Sequence, residues 1–188
     1  MKVLIIDNFD SFTYNLHHYV SEFVDTSVVV RLDELSSLEI DDDFDKIILS
    51  PGPSLPKDYP IIFEFLEKYI ASKSILGICL GHQAIADFCG GSLINLNKVK
   101  HGVISENIIK KEDSLFQQIP NKFLVAHYHS WVVDKSSFPD SLSVTSENKE
   151  GLIMSFRHNK YDVKGVQFHP ESILTNYGKK IIENWINS

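Results

Sequence analysis

The chain has 188 residues, 43% hydrophobic and 23% charged, with 18 Lys and Arg against 25 Asp and Glu, a formal charge of −7. A length slightly above the roughly 150 residues of an average domain predicts one domain over 1–188 with a self-sufficient core, and the aliphatic and aromatic content excludes intrinsic disorder. The acidic balance, with no Lys/Arg stripe, argues against nucleic acid and against an anionic membrane surface as partners.

The apolar runs are far shorter than the roughly 18–20 residues a bilayer span needs. The run that opens the chain meets Asp7 too early for a signal peptide. Cys79 and Cys89 are too few for a disulfide framework, and no Asn-x-Ser/Thr acceptor occurs. These features predict a soluble, cytoplasmic protein.

In chain order, Val3–Ile6 is an unbroken apolar run, as in a buried parallel strand. From Thr13 to Phe23, apolar residues recur at steps of three and four, which predicts an amphipathic helix with Tyr14, Tyr19 and Phe23 facing the core. Val28–Val30 and Lys46–Leu49 read as strands, the latter ending in Ser50-Pro51-Gly52-Pro53. Ile61–Ile70 reads as a helix, Ser74–Ile78 as a strand and Gly81–Cys89 as a helix stopped by Gly90-Gly91. From Ser92 to Thr145 short strand-like pieces dominate, predicting antiparallel additions to one edge. A strand over Val163–Phe168 then leads to a helix ending near Trp185. The expected fold is α/β: an open, mostly parallel sheet flanked by helices, with additional antiparallel edge strands.

The chemistry begins at Gly77-Ile78-Cys79-Leu80-Gly81, where a strand runs into a helix. This is the thiol form of a nucleophile elbow. The turn lifts Cys79 off the sheet, the flanking glycines remove Cβ atoms that would collide, and the helix amino end favours the thiolate. The Leu80 amide is then placed to stabilise an oxyanion. For the base, His169 follows an apolar strand and so lies at the carboxyl end of the sheet, where Cys79 also emerges. Pro170 keeps His169 out of helical angles, so Glu171 falls on the same side and can orient the imidazole. Gly52 supplies the one N–H of Pro51-Gly52-Pro53, a candidate second oxyanion donor.

Together Ile78–Gln83, Ser50–Pro53 and Gly165–Ser172 resemble the three signature blocks of class I (triad-type) glutamine amidotransferases. The opening Ile6–Leu16 is similar to the start of the glutaminase subunits of anthranilate synthase and aminodeoxychorismate synthase, and the resemblance runs from 1 to 188. It implies hydrolysis of L-glutamine through a γ-glutamyl thioester on Cys79, with His169 as acid/base, Glu171 orienting it, and the Gly52 and Leu80 amides as oxyanion hole. It further implies that Gln83 contacts glutamine and that Ser130 and Trp131, in Tyr128-His129-Ser130-Trp131, bind its α-amino and α-carboxyl ends. Trp131 replaces the family's leucine, and His127 stands where many relatives have arginine.

Ammonia protonates in water near neutral pH, so such a glutaminase implies docking on a chorismate-binding synthase subunit, which the length leaves no room for in this chain. Magnesium is expected only in that partner, with no cofactor in this chain, and Asn8–Asn15, Pro53–Pro60 and Tyr128–Trp131 form the expected docking face. Anthranilate is the favoured product and aminodeoxychorismate the alternative. A partner-independent thiol hydrolase and a non-catalytic regulatory relative are the other readings considered. No metal site is expected: His127 and His129 lack further ligands at suitable spacing, and Asp41-Asp42-Asp43-Phe44-Asp45 reads as a solvated acidic turn.

Overall fold

Most of the apolar runs become strands that are buried on both faces, with the half-buried run at Val28–Val30 at the sheet edge. The computed structural model describes residues 1–37 and 43–188, so Asp41 and Asp42 of the acidic stretch lie outside the described residues, while Asp43 and Asp45 are exposed. Strands β1 (Lys2–Asp7), β2 (Thr26–Arg31), β3 (Lys46–Leu49), β4 (Ser74–Ile78), β5 (Leu93–Ile109), β6 (Lys122–Val133), β7 (Leu142–Asn148), β8 (Ile153–His158) and β9 (Val163–Val166) form one nine-stranded sheet in the order β2-β1-β3-β4-β9-β8-β7-β5-β6. The first five in that order run parallel, and β8, β7, β5 and β6 continue the sheet as antiparallel neighbours.

Helices α1 (Thr13–Ser21) and α4 (Gly178–Ile186) cover one face of the sheet, and α2 (Pro60–Tyr69) and α3 (Leu80–Phe88) cover the other. Strand residues divide between the two cores: Val3, Ile5 and Ile48 pack with α1 and α4, whereas Leu4, Ile6, Ile47 and Leu49 pack with α2 and α3. Each such fully buried side chain contributes roughly 1.5–3 kcal/mol. That two-sided burial is why the parallel strands read as unbroken apolar runs rather than alternations.

Three expectations shift. The helix begun at Thr13 ends at Ser21 and buries Thr13, Leu16 and Val20; Tyr14 is 69% exposed, on the opposite side from that stripe. The antiparallel region extends beyond Thr145 to include the rest of β7 and all of β8, whose Ile153–Phe156 are buried and so lack a polar alternation. The last predicted strand stops at Val166, leaving Gln167–Glu171 as loop. That loop, Asn8 after β1, Ser50–Pro53 after β3 and Cys79 after β4 all leave the same carboxyl edge of the parallel strands, where ligands of open α/β sheets bind.

Candidate active site

Cys79 sits between β4 and α3 with φ 51° and ψ −98°, a conformation that L-residues avoid. The turn closes only because its neighbours are glycines. A Cβ on Gly77 would lie 2.5 Å from the Gly81 carbonyl oxygen, and one on Gly81 would lie 2.4 Å from the Leu49 carbonyl oxygen. The Cys79 N–H donates to the Val166 carbonyl at 2.8 Å, tying the elbow to β9.

His169 and Glu171 come to Cys79 from the loop after β9. His169 Nδ1 and Glu171 Oε1 are 2.6 Å apart, and both side chains are almost wholly buried. The His169 N–H donates to the Ala126 carbonyl at 3.1 Å, and Thr175 Oγ1 donates to the His169 carbonyl at 2.6 Å, which fixes the loop against β6. The Tyr128 ring meets the imidazole edge-on at 4.9 Å. His169 Nε2 is free of any protein hydrogen bond among the described residues. Burial opposes charge on the ring, but Cys79 and Glu171 outweigh it and hold the His169 pKa well above the ordinary value. A proton is thus retained on the imidazole beside Cys79.

Gly52 stands against the first turn of α3, its would-be Cβ 2.7 Å from Leu80 Cδ2. Among the described residues, neither the Gly52 nor the Leu80 N–H has a protein acceptor. Gly52, Cys79, Gln83, Ser130 and Trp131 line one cavity of about 120 Å³. The Gln83 side-chain amide donates to the Trp131 carbonyl at 2.8 Å and to Gln167 Oε1 at 3.2 Å. All eight residues singled out from the sequence therefore gather at one edge of the sheet. A larger cavity of about 510 Å³ near Phe116 and Arg157 holds none of them.

The order of these elements has a counterpart among known families: the model described as glutamine amidotransferase class-I matches residues 4–188. The chain belongs to that family. Among similar proteins of this amidotransferase family, the aminodeoxychorismate/anthranilate synthase component 2 of Bacillus subtilis (strain 168) is 39% identical over 187 residues, covering 99% of this chain and 96% of its own. The anthranilate synthase component 2 of Porphyra purpurea is 41% identical over 188 residues, covering 99% of each chain. A solved Thermoplasma acidophilum chain, described as a candidate GMP synthase subunit, superposes with a TM-score of 0.86 at 25% identity, covering 100% of this chain and 92% of that one.

Residues that the sequence did not single out complete this amidotransferase site. Gln167, fully buried, donates from Nε2 to Cys79 Sγ at 3.6 Å and links it to Gln83. A polar residue closing an apolar strand just before the histidine was the available signal. Gly178 is the other: a Cβ there would lie 1.9 Å from the Pro170 carbonyl oxygen, a contact between segments that no local pattern announces.

His127 and His129 hydrogen-bond each other, Nδ1 to Nε2 at 3.1 Å, and Ser105 Oγ meets His127 Nε2 at 2.7 Å. Burial pushes His82 and His127 down to about 3, and His129 to about 4. All three are neutral when folded but titrate near 6.5 when unfolded, so the unfolded chain binds more protons below pH 6.5. Stability present above that pH is lost as pH falls towards 4, by up to about 1.4 kcal/mol per pH unit for each histidine. His169 adds nothing to this loss, being protonated in both states there. The thermal midpoint is expected to fall steeply between pH 6.5 and 5; a flat midpoint over that window refutes buried neutral histidines.

Proposed function

We propose that this chain hydrolyses L-glutamine at Cys79 and passes ammonia to a chorismate-binding synthase subunit, with anthranilate as the joint product. The observation that carries the chemistry is the buried His169–Glu171 pair, which retains a proton beside a strained elbow cysteine.

In this mechanism the Cys79 thiolate attacks the side-chain carboxamide carbon of glutamine. The oxygen becomes an oxyanion, facing the N–H groups of Gly52 and Leu80; one such donor is worth about 10²–10³-fold in kcat. The C–N bond breaks as His169 gives its proton to the leaving nitrogen, releasing ammonia and leaving a γ-glutamyl thioester. His169, now neutral, takes a proton from water as the oxygen attacks the thioester. The C–S bond breaks, and glutamate and the thiolate–imidazolium pair are regenerated. Glu171 holds the imidazole and stabilises its charged form. Gln83, Ser130 and Trp131 hold the amino-acid end of the substrate.

Partner docking is supported by apolar side chains around the site mouth. Phe9, Phe12 and Leu174 are 42%, 38% and 40% exposed, and Ile173, two residues after Glu171, is 93% exposed. Phe12 also touches Tyr128, the ring that packs on His169, so docking on Phe12 reaches the catalytic imidazole. The cytoplasm is the compartment that suits a free catalytic thiol. Aminodeoxychorismate is the second reading, because the Bacillus subtilis relative carries both product names.

The test mixes the chain with each chorismate-binding synthase subunit of its own cell and identifies the product made from glutamine. Anthranilate is the expected result. Aminodeoxychorismate alone selects the second reading, and no product from glutamine while ammonia still serves refutes the transfer. Hydrolysis of peptides or esters in preference to glutamine points instead to a partner-independent thiol hydrolase.

A further inference from the structure

Asn8, the first residue after β1, is fully buried, yet it takes no part in the chemical steps. Its backbone N–H donates to Ser50 Oγ at 2.9 Å and its side-chain Nδ2 donates to the Ser50 carbonyl at 2.7 Å. Ser50, also fully buried, donates from Oγ to the Pro51 carbonyl at 2.7 Å. The Ser50 N–H, bonded to the Ile6 carbonyl at 3.1 Å, is the last rung joining the two segments in ordinary strand fashion. Beyond it Pro51 and Pro53 have no N–H, so the ladder cannot continue. The Asn8 side chain replaces the missing rungs.

What this cross-link holds is Gly52. A Cβ on Gly52 would lie 2.5 Å from the Asn8 carbonyl oxygen, 2.7 Å from Asn8 Cβ and 2.7 Å from Leu80 Cδ2. Gly52 thus occupies a slot between Asn8 and Leu80, and the separation of the two oxyanion N–H groups is set by how Asn8 grips Ser50. Packing alone does not account for an asparagine. Its Oδ1 is buried with no partner among the described residues, and a buried unpaired amide oxygen costs stability that an apolar residue of that size avoids.

We infer that Asn8 is a positioning residue of the oxyanion hole, acting through Ser50 to aim the Gly52 N–H. This rests on the proposed glutaminase chemistry, and two rates at one sulfur separate the two ideas. Thioester formation from glutamine builds an oxyanion, whereas alkylation of Cys79 by iodoacetamide is displacement at a saturated carbon and builds none.

Asn8→Ala in the complex with its synthase is expected to lower kcat for glutamine roughly 10²-fold, the scale of one lost oxyanion donor, with KM little changed. The iodoacetamide rate at Cys79 should stay at the wild-type value. Ser50→Ala removes the other half of the clamp, the Oγ that accepts the Asn8 backbone N–H and donates to the Pro51 carbonyl, and is expected to lower kcat in the same way; it serves alone should Asn8→Ala fail to fold. Wild-type kcat in the variants overturns the inference, as does an alkylation rate that falls in step with kcat. Glutamine hydrolysis that survives Cys79→Ala in the otherwise unaltered complex overturns the underlying chemistry, and the inference falls with it.

Discussion

Cys79→Ala is expected to abolish synthesis from glutamine while leaving the synthase partner's use of added ammonia intact. No other group in the cavity replaces the thiolate, and removing a nucleophile of this kind costs on the order of 10⁴–10⁶-fold. Assays of the reconstituted complex with glutamine and with ammonium salt check both halves, and a glutamine rate within tenfold of wild type removes Cys79 from the mechanism. Cys79→Gly carries a second expected result. At φ 51° the elbow is strained for any side chain, and glycine relieves that strain. The inactive glycine variant should be more stable than wild type by roughly 1 kcal/mol in denaturant unfolding. Equal or lower stability shows that the lost packing of the Cys79 side chain outweighs the strain relieved.

Gly178→Ala is expected to damage stability and catalysis together, although residue 178 touches no substrate. Its Cβ would lie 1.9 Å from the Pro170 oxygen, 2.8 Å from the carbonyl carbon and 3.1 Å from Cα, all backbone atoms without a rotamer escape. Pro170 lies between His169 and Glu171, so relieving the overlap pushes the loop or α4. Overpacking of this severity costs roughly 2–4 kcal/mol. A displacement near 1 Å at His169 costs about 10²-fold in rate. Urea unfolding and glutamine kcat read the two effects separately. Wild-type values for both show that α4 yields without disturbing the triad loop.

The parallel half of the fold was legible because its strands inside the edge strand β2 are buried on both faces and are punctuated by the residues that leave the sheet. The site was legible for the same reason: Gly52, Cys79 and His169 each follow an apolar run, and parallel strands send their carboxyl ends to one edge. The antiparallel half was less readable. β8 has no polar alternation, and β5 has register shifts against β6 between Asn95 and Lys100 and between His101 and Val103, which break its period of two. Tyr14 was misplaced because its helical spacing fits a stripe that the sheet does not cover.

By itself the sequence determined the family, and it located the candidate site, since an elbow cysteine, a His-x-Glu pair and a glycine between prolines are recognised through backbone rules that act within a few residues. Only the tertiary structure decided how those segments hold one another. The grip of Asn8 on Ser50, the bridge of Gln167 to Cys79 and Gln83, and the seat of Pro170 on Gly178 each join positions far apart in the chain. Such contacts are matters of distance between surfaces that pack late and far from one another in sequence, and local propensity carries no record of them. The candidate oxyanion amides and the candidate triad are named by local patterns; their mutual spacing is set by the core.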